Sequence, residues 1–149
     1  NSLLTERKKT IPLSEEIETI KDYLELEIIR YEERLKYDIQ LNCACDKVQI
    51  PPMIIQTLVE NSIKHGISKV KNGGTIRIII SKADDLLDIR VQNPGKMEDE
   101  HTQIGTGLGL ENSKHRIQLM FGDQASLHLH TIANNQVEAH LIIPFLAAN

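Results

Sequence analysis

Residues 51–67 read PPMIIQTLVENSIKHGI, and the fold turns on how this stretch is parsed. Pro51 and Pro52 cannot continue a hydrogen-bonded ladder but suit a first helical turn, where the amide hydrogen has no partner to lose. Ile54, Ile55, Leu58, Val59 and Ser62 then recur at three- and four-residue spacing, which predicts a helix burying one stripe and ending at Gly66. Thr57, Glu60 and Lys64 fall on its polar side, while Asn61 and His65 lie where the two sides meet. An asparagine at a buried margin needs partners for its amide, and its oxygen is a hard neutral ligand able to complete a magnesium shell shared with phosphates. Lys64, one turn on, could neutralise a phosphate. Taken alone, the same pattern also describes a solvated helix face with one internally satisfied asparagine.

Upstream, Ser14 followed by Glu15 and Glu16 has the composition of a helix start, a hydroxyl for free N–H groups and acids for the positive end of the dipole. Ile17, Ile20, Leu24, Ile28 and Tyr31 form the stripe of a long amphipathic helix ending near Arg34. Tyr37, Ile39, Leu41 and Cys43 alternate with Lys36, Asp38, Gln40 and Asn42, the period of a half-buried strand with its core on the odd side. Downstream, Asn72-Gly73-Gly74 marks a turn before two strands, Thr75 to Ser81 and Leu86 to Gln92, connected through Ala83-Asp84-Asp85. Asn93 to Gly107 holds three of the eight glycines and little apolar content, which predicts a mobile loop. Leu108 to Phe121 resumes helical spacing through Leu110, Ile117 and Met120, and Gly122 closes it. Ser126 to Ala133 and Gln136 to Phe145 are two last strands around Asn134-Asn135. The order predicts an α+β fold, a two-layer sandwich whose mixed, mostly antiparallel sheet carries helices on one face.

With 149 residues and 40% hydrophobic content, the chain can bury one core and is short for two, so residues 1–149 read as a single domain. A formal charge of −4 argues against an electrostatic nucleic-acid binder, which needs a surplus of Lys and Arg on one face. Cys43 and Cys45 are the two cysteines; on an extended strand alternate residues are poorly placed for a mutual disulfide, which points to a reducing cytoplasm. No apolar run approaches the length needed to cross a bilayer, and no signal-peptide pattern is present. A start at Asn1 that runs almost directly into structure reads as a piece cut from a longer protein.

Two more elements carry chemistry. Asn93-Pro94-Gly95 follows a strand, and Gly95 permits either a positive φ or close approach to a planar ligand. Gly105-Thr106-Gly107-Leu108-Gly109-Leu110 sets glycines directly before a helix, where unpaired N–H groups and the dipole make an anion site. A lone glycine-rich loop is a weak signal, and a flexible hinge explains it equally well. Three such elements in order, with the long loop between the second and third, are more specific.

Together these segments resemble histidine-kinase catalytic domains. PPMIIQTLVENSIKHGI is similar to the N box, VQNPG to the G1 box and GTGLGLENSKHRI to the G2 box, while IPLSEEIETIKDYLELEIIRYEERL is similar to the run preceding the N box in LytS-type sensor kinases. The resemblance covers nearly the whole chain. It implies the Bergerat-type sandwich shared with DNA gyrase, a class of heat-shock chaperone and MutL, with ATP and Mg²⁺ held between the N-box helix and a lid at residues 94–107. It further implies that Asn61 binds Mg²⁺, that Lys64 and His65 lie near the phosphates and that Asn93 sits at the adenine-reading position. Gly95 would abut the base, and Gly105, Thr106, Gly107, Leu108 and Gly109 would form the phosphate loop. Two positions depart from the family pattern: Asn93 stands where Asp is usual, and Met97 where a second glycine is usual. An amide oxygen accepts from the exocyclic amine without charge, which implies weaker nucleotide binding.

None of the six histidines, His65, His101, His115, His128, His130 and His140, lies in an acidic or Pro-His-Phe context upstream of the N box. The phosphoacceptor is therefore expected on a separate phosphoacceptor and dimerisation domain, with residues 1–13 a remnant of the linker to it. A downstream response regulator and a membrane-anchored homodimer as the full protein, with this part cytoplasmic, follow from the same resemblance. His128, His130 and His140 share a hairpin, and alternation on a half-exposed face explains them without a metal. Phosphoryl transfer asks mainly for positioning and charge neutralisation, for which Asn61, Lys64 and the amides after Gly107 are the candidates, with Glu60 orienting the incoming imidazole. Two rivals remain. An ATP-hydrolysing relative would carry a water-activating Glu one turn before the asparagine, where this chain has Thr57; a nucleotide-free interaction module would explain Asn93 and Met97.

Overall fold

The computed structural model describes residues 10–96, 108–132 and 135–147. In chain order these form β1 (Ile11–Pro12), α1 (Leu13–Tyr31), a 3-10 turn, β2 (Leu35–Leu41), β3 (Gln49–Ile50) and α2 (Ile54–His65). After a second 3-10 turn come β4 (Gly74–Ala83), β5 (Leu86–Pro94), α3 (Leu108–Phe121), a third 3-10 turn, β6 (Ser126–Ile132) and β7 (Gln136–Pro144). Five strands make one sheet in the order β2-β4-β5-β7-β6, and β1 pairs with β3 as a separate ribbon. Only the β2–β4 pair is parallel; the other three pairs are antiparallel, giving the mixed sheet expected.

Register decides which face is core. Ile78 pairs with Val91 and Ile80 with Ile89 across β4–β5, and Ile89 with Leu141 and Val91 with Ala139 across β5–β7. Because side chains alternate, these pairs put one apolar face under the helices. Ile17, Ile20 and Leu24 of α1, Ile55, Leu58, Val59 and Ile63 of α2, and Ile117 of α3 pack onto it as one cluster. The opposite face is polar. There Glu138, 1% exposed, accepts from Gln92 Nε2 at 2.7 Å and Arg90 Nη1 at 3.4 Å, with His130 Nε2 at 2.9 Å. His140 Nε2 lies 2.9 Å from Asp88 Oδ2. His130 and His140 are thus engaged with carboxylates, and among the described residues no group of three or more His, Cys, Asp or Glu could hold a metal ion.

Several local expectations change. Ser14 lies exposed inside α1 and supplies no cap; Pro12 precedes the helix, because the backbone at Leu13 and Ser14 bonds to Val48 and Asp46 instead. The helix stops at Tyr31 and a 3-10 turn carries the chain to Arg34. Pro51 and Pro52 stand before α2, separated from it by Met53 at φ 69°. β2 ends at Leu41, so Cys43 and Cys45 lie in a bend and not on an extended strand; with Cα atoms 5.3 Å apart they are joined as a disulfide. The strand ends before Cys43, so strand alternation does not govern how the two thiols point. Met120 is 40% exposed and takes no part in the α3 stripe, whose buried apolar member is Ile117.

Leu24 is fully buried where α1 meets the sheet. Leu24→Ala is expected to cost about 2–5 kcal/mol in urea unfolding, from lost transfer energy and the cavity left behind; a loss below about 1 kcal/mol would contradict this packing.

Candidate functional site

Helix α2 presents different chemistry to three neighbours. Toward α3, the position a Cβ on Gly109 would take lies 3.6 Å from Asn61 Nδ2 and 3.6 Å from Thr57 Cγ2. The Asn61 carboxamide is therefore seated against the first turn of α3, the end of a helix whose dipole favours an anion. Thr57 turns its methyl to that junction, since its hydroxyl donates to Met53 O at 2.8 Å.

At the carboxyl end of α2 the packing is tighter. Asn93, 7% exposed on β5, lies so close to Gly66 that a Cβ there would be 2.4 Å from Asn93 Nδ2 and 2.4 Å from Ser62 O. No side chain fits without displacing backbone. Asn93 Nδ2 donates to Pro94 O at 2.9 Å, which directs the amide nitrogen toward Pro94 and leaves the carbonyl oxygen as its acceptor. Gly95 follows at φ +125°, a conformation that excludes other residues, and its N–H donates to Asn135 O at 2.7 Å. Beside it opens a cavity of about 540 Å³ lined by His65, Lys69, Val70, Pro94, Gly95, Lys96 and Asn135. The volume is in the range of small-molecule sites, and two lysines make its wall cationic.

Toward α1, Glu60 and Lys64 line a second cavity, about 330 Å³, with Tyr23, Glu27 and Arg30. Gln56 Nε2 donates to Glu60 Oε2 at 3.1 Å and fixes that carboxylate. Burial first, then the Glu27 carboxylate and more weakly Glu60, pushes the Tyr23 phenol well up, so it stays a neutral hydroxyl.

The structure thus brings His65 and Gly95 together at one cavity, packs Asn93 against Gly66 at the end of α2, and places Asn61 beside Gly109 at the start of α3. It separates Lys64 from both, turning it to the α1 side with Glu60. Leu108 is the first residue of α3, and Gly105, Thr106, Gly107 and most of the expected lid lie outside the described residues. Sequence reasoning missed Gly66 as a packing position, treating it only as a helix stop. It also missed Lys69, Val70, Lys96 and Asn135, which carry no periodic signal and meet only through the fold.

Known proteins place this arrangement in a family. A profile described as histidine kinase matches residues 1–35. The Sensor protein LytS of Staphylococcus saprophyticus is 35% identical over 136 residues, covering 84% of this chain and 23% of that protein. The chain therefore spans about a quarter of the length of that relative. Among solved structures, a nucleotide-free catalytic domain of histidine kinase ThkA superposes with a TM-score of 0.71 at 18% identity, covering 92% of this chain and 97% of that one. Full-length ShkA in complex with AMPPNP gives 0.66 at 13% identity, covering 93% of this chain and 32% of that one. The structural likeness shows a fold shared with the ThkA catalytic domain, the sequence relationship runs along most of this chain, and the chain belongs to the LytS-type sensor histidine kinases.

Proposed function

We propose that this domain binds Mg-ATP between α2, β5 and the amino end of α3, and passes the γ-phosphoryl group to a histidine on a separate phosphoacceptor and dimerisation domain. The observation that carries the reading is the Asn61 carboxamide set against Gly109 at the start of α3. Asn61 makes that contact through its nitrogen, and its oxygen, a hard neutral ligand close to a helix start, suits a magnesium ion shared with a phosphate chain. When bound, the ion would neutralise phosphate charge. The base would lie in the cavity at Gly95, with the Asn93 oxygen accepting from its exocyclic amine and His65 on the wall. ShkA, a relative by fold, is known in complex with AMPPNP, which supports nucleotide binding as such.

Glu60 and Lys64 act on the other flank. With its carboxylate fixed by Gln56, Glu60 can accept from one imidazole nitrogen of an incoming histidine and leave the other free to attack phosphorus. Lys64 supplies a cation there. Thr57 counts against the ATP-hydrolysing alternative, because its hydroxyl is committed to the backbone and no carboxylate takes the water-activating position. The nucleotide-free interaction module has only the substitutions Asn93 and Met97 in its favour. In the whole protein the acceptor domain, a response regulator, a homodimeric state and anchoring in the inner membrane complete the proposal, with this domain on the cytoplasmic side. No helix among the described residues is long and apolar enough to cross a membrane.

Calorimetry with ADP or a non-hydrolysable ATP analogue should show binding that strengthens with magnesium, and Asn61→Ala should remove most of that strengthening, about tenfold or more. Binding absent in both would leave the interaction module. Glu60→Gln should lower transfer to a supplied acceptor domain by about ten- to a hundredfold with little change in nucleotide affinity; unchanged transfer would end its orienting role. Gly66→Ala is expected to cost about 1–3 kcal/mol of stability and, by pushing Asn93 aside, to weaken ADP binding about tenfold. A Gly66→Ala protein with wild-type affinity would show that Asn93 does not read the base.

A further inference from the structure

Helix α2 carries no cap of its own. Met53 precedes it with a side chain that caps nothing, its first turn contains no acid, and Met53 itself holds a left-handed φ of 69° that disfavours a side chain. Even so, every amide at this helix start has a partner. Ile54 N–H donates to Pro51 O at 3.4 Å and Thr57 N–H to Met53 O at 3.0 Å. The remaining three are taken by one side chain from another helix: Glu16 Oε1 accepts from Met53 N–H at 2.7 Å, and Oε2 from Ile55 N–H at 2.8 Å and Gln56 N–H at 3.2 Å. Glu16 is 2% exposed. A carboxylate so far from water persists only if its oxygens are satisfied, and here the satisfaction comes wholly from α2.

Glu16 stands one turn into α1, and the chain just before it is tied to the same place. Ile11 pairs with Ile50 and Pro12 with Gln49, Leu13 N–H donates to Val48 O at 2.8 Å and Ser14 N–H to Asp46 O at 2.9 Å. β3 then runs through Pro51–Met53 directly into α2. Residues 10–16 and 46–56 therefore form one unit whose output is the axial setting and rotation of α2. A helix is stiff along its axis, so that setting is felt at Asn61, less than two turns beyond Ile55. Asn93 belongs to β5 and Gly95 follows its last residue; both meet α2 only at its carboxyl end, beyond Asn61, where Gly66 is packed against Asn93.

We infer that Glu16 is a positioning residue for the nucleotide site: by holding the amino end of α2 it aligns Asn61 with α3, and it couples the chain leading into α1 to the metal-dependent half of nucleotide binding. This rests on the reading of Asn61 given above. It predicts a split that loss of stability alone would not produce, because the base-facing residues meet α2 at its carboxyl end, which stays packed on β5 through Gly66 and Asn93 when the hold on the amino end is lost.

The test compares wild type with Glu16→Gln at a temperature where both are folded. Affinity for ADP is measured by calorimetry with and without magnesium, and affinity for AMP by displacement. Glu16→Gln should lower the magnesium-dependent gain for ADP about tenfold while AMP affinity stays within about twofold. An equal loss for AMP and ADP, or no loss for either, would overturn the inference. If Glu16→Gln does not fold, Glu16→Asp, which keeps the charge but draws it back by one methylene, is read by the same criteria. Should wild type itself show no magnesium-dependent binding, the fault lies with the assignment of Asn61 and not with Glu16.

Discussion

Helix α2 is pinned at both ends by contacts with no slack, and the rest of the molecule is arranged around that constraint. At its amino end a buried carboxylate from α1 takes three amide hydrogens. At its other end Gly66 lies against Asn93 with no room for one more carbon. Between them Ile55, Leu58, Val59 and Ile63 are buried against the sheet, so the helix cannot roll. The residues on its remaining sides, Glu60, Asn61, Lys64 and His65, inherit that rigidity. Core and site are two sides of one helix.

The sheet supplies the second half of the frame. Its inner face is a continuous apolar surface, and its outer face is braced by cross-strand polar contacts centred on Glu138. A stiff β5 is what allows Asn93, and Gly95 just beyond its end, to be set against α2. The two ends of the proposed ligand thus lie at different levels of α2: the base where its carboxyl end meets the end of β5, the metal and phosphates where its middle meets α3. That division explains how the hold on the amino end of α2 could tune the metal half of the site while the base pocket at its carboxyl end stays in place.

Much of this was legible in the sequence, for local reasons. The stripes of α1 and α2 follow directly from spacing, and Leu108–Phe121 was bounded correctly because glycines flank a periodic run. The registers that bury Ile78, Ile89 and Leu141 follow from alternation. What escaped was long-range. Glu16 has the ordinary look of an acid in a first turn, and nothing local tells that its partners lie 37 to 40 residues on. Spacing to Asn61 cannot tell that Lys64 also lines, one turn on from Glu60, the α2 wall of a cleft whose other wall is α1. The Cys43–Cys45 link depends on the strand ending two residues sooner than alternation implied.

The central claim, that nucleotide sits where Asn61 meets the start of α3, is tested most directly by nitrogen-15 NMR of the domain titrated with Mg-ADP. The account predicts that the side-chain amide signals of Asn61 and Asn93 and the backbone signals of Gly95 and Gly109 move together and saturate together, while those of His130 and Glu138 on the outer face stay in place. Saturable shifts confined to the outer face, with Asn61 and Gly109 unmoved, would contradict it.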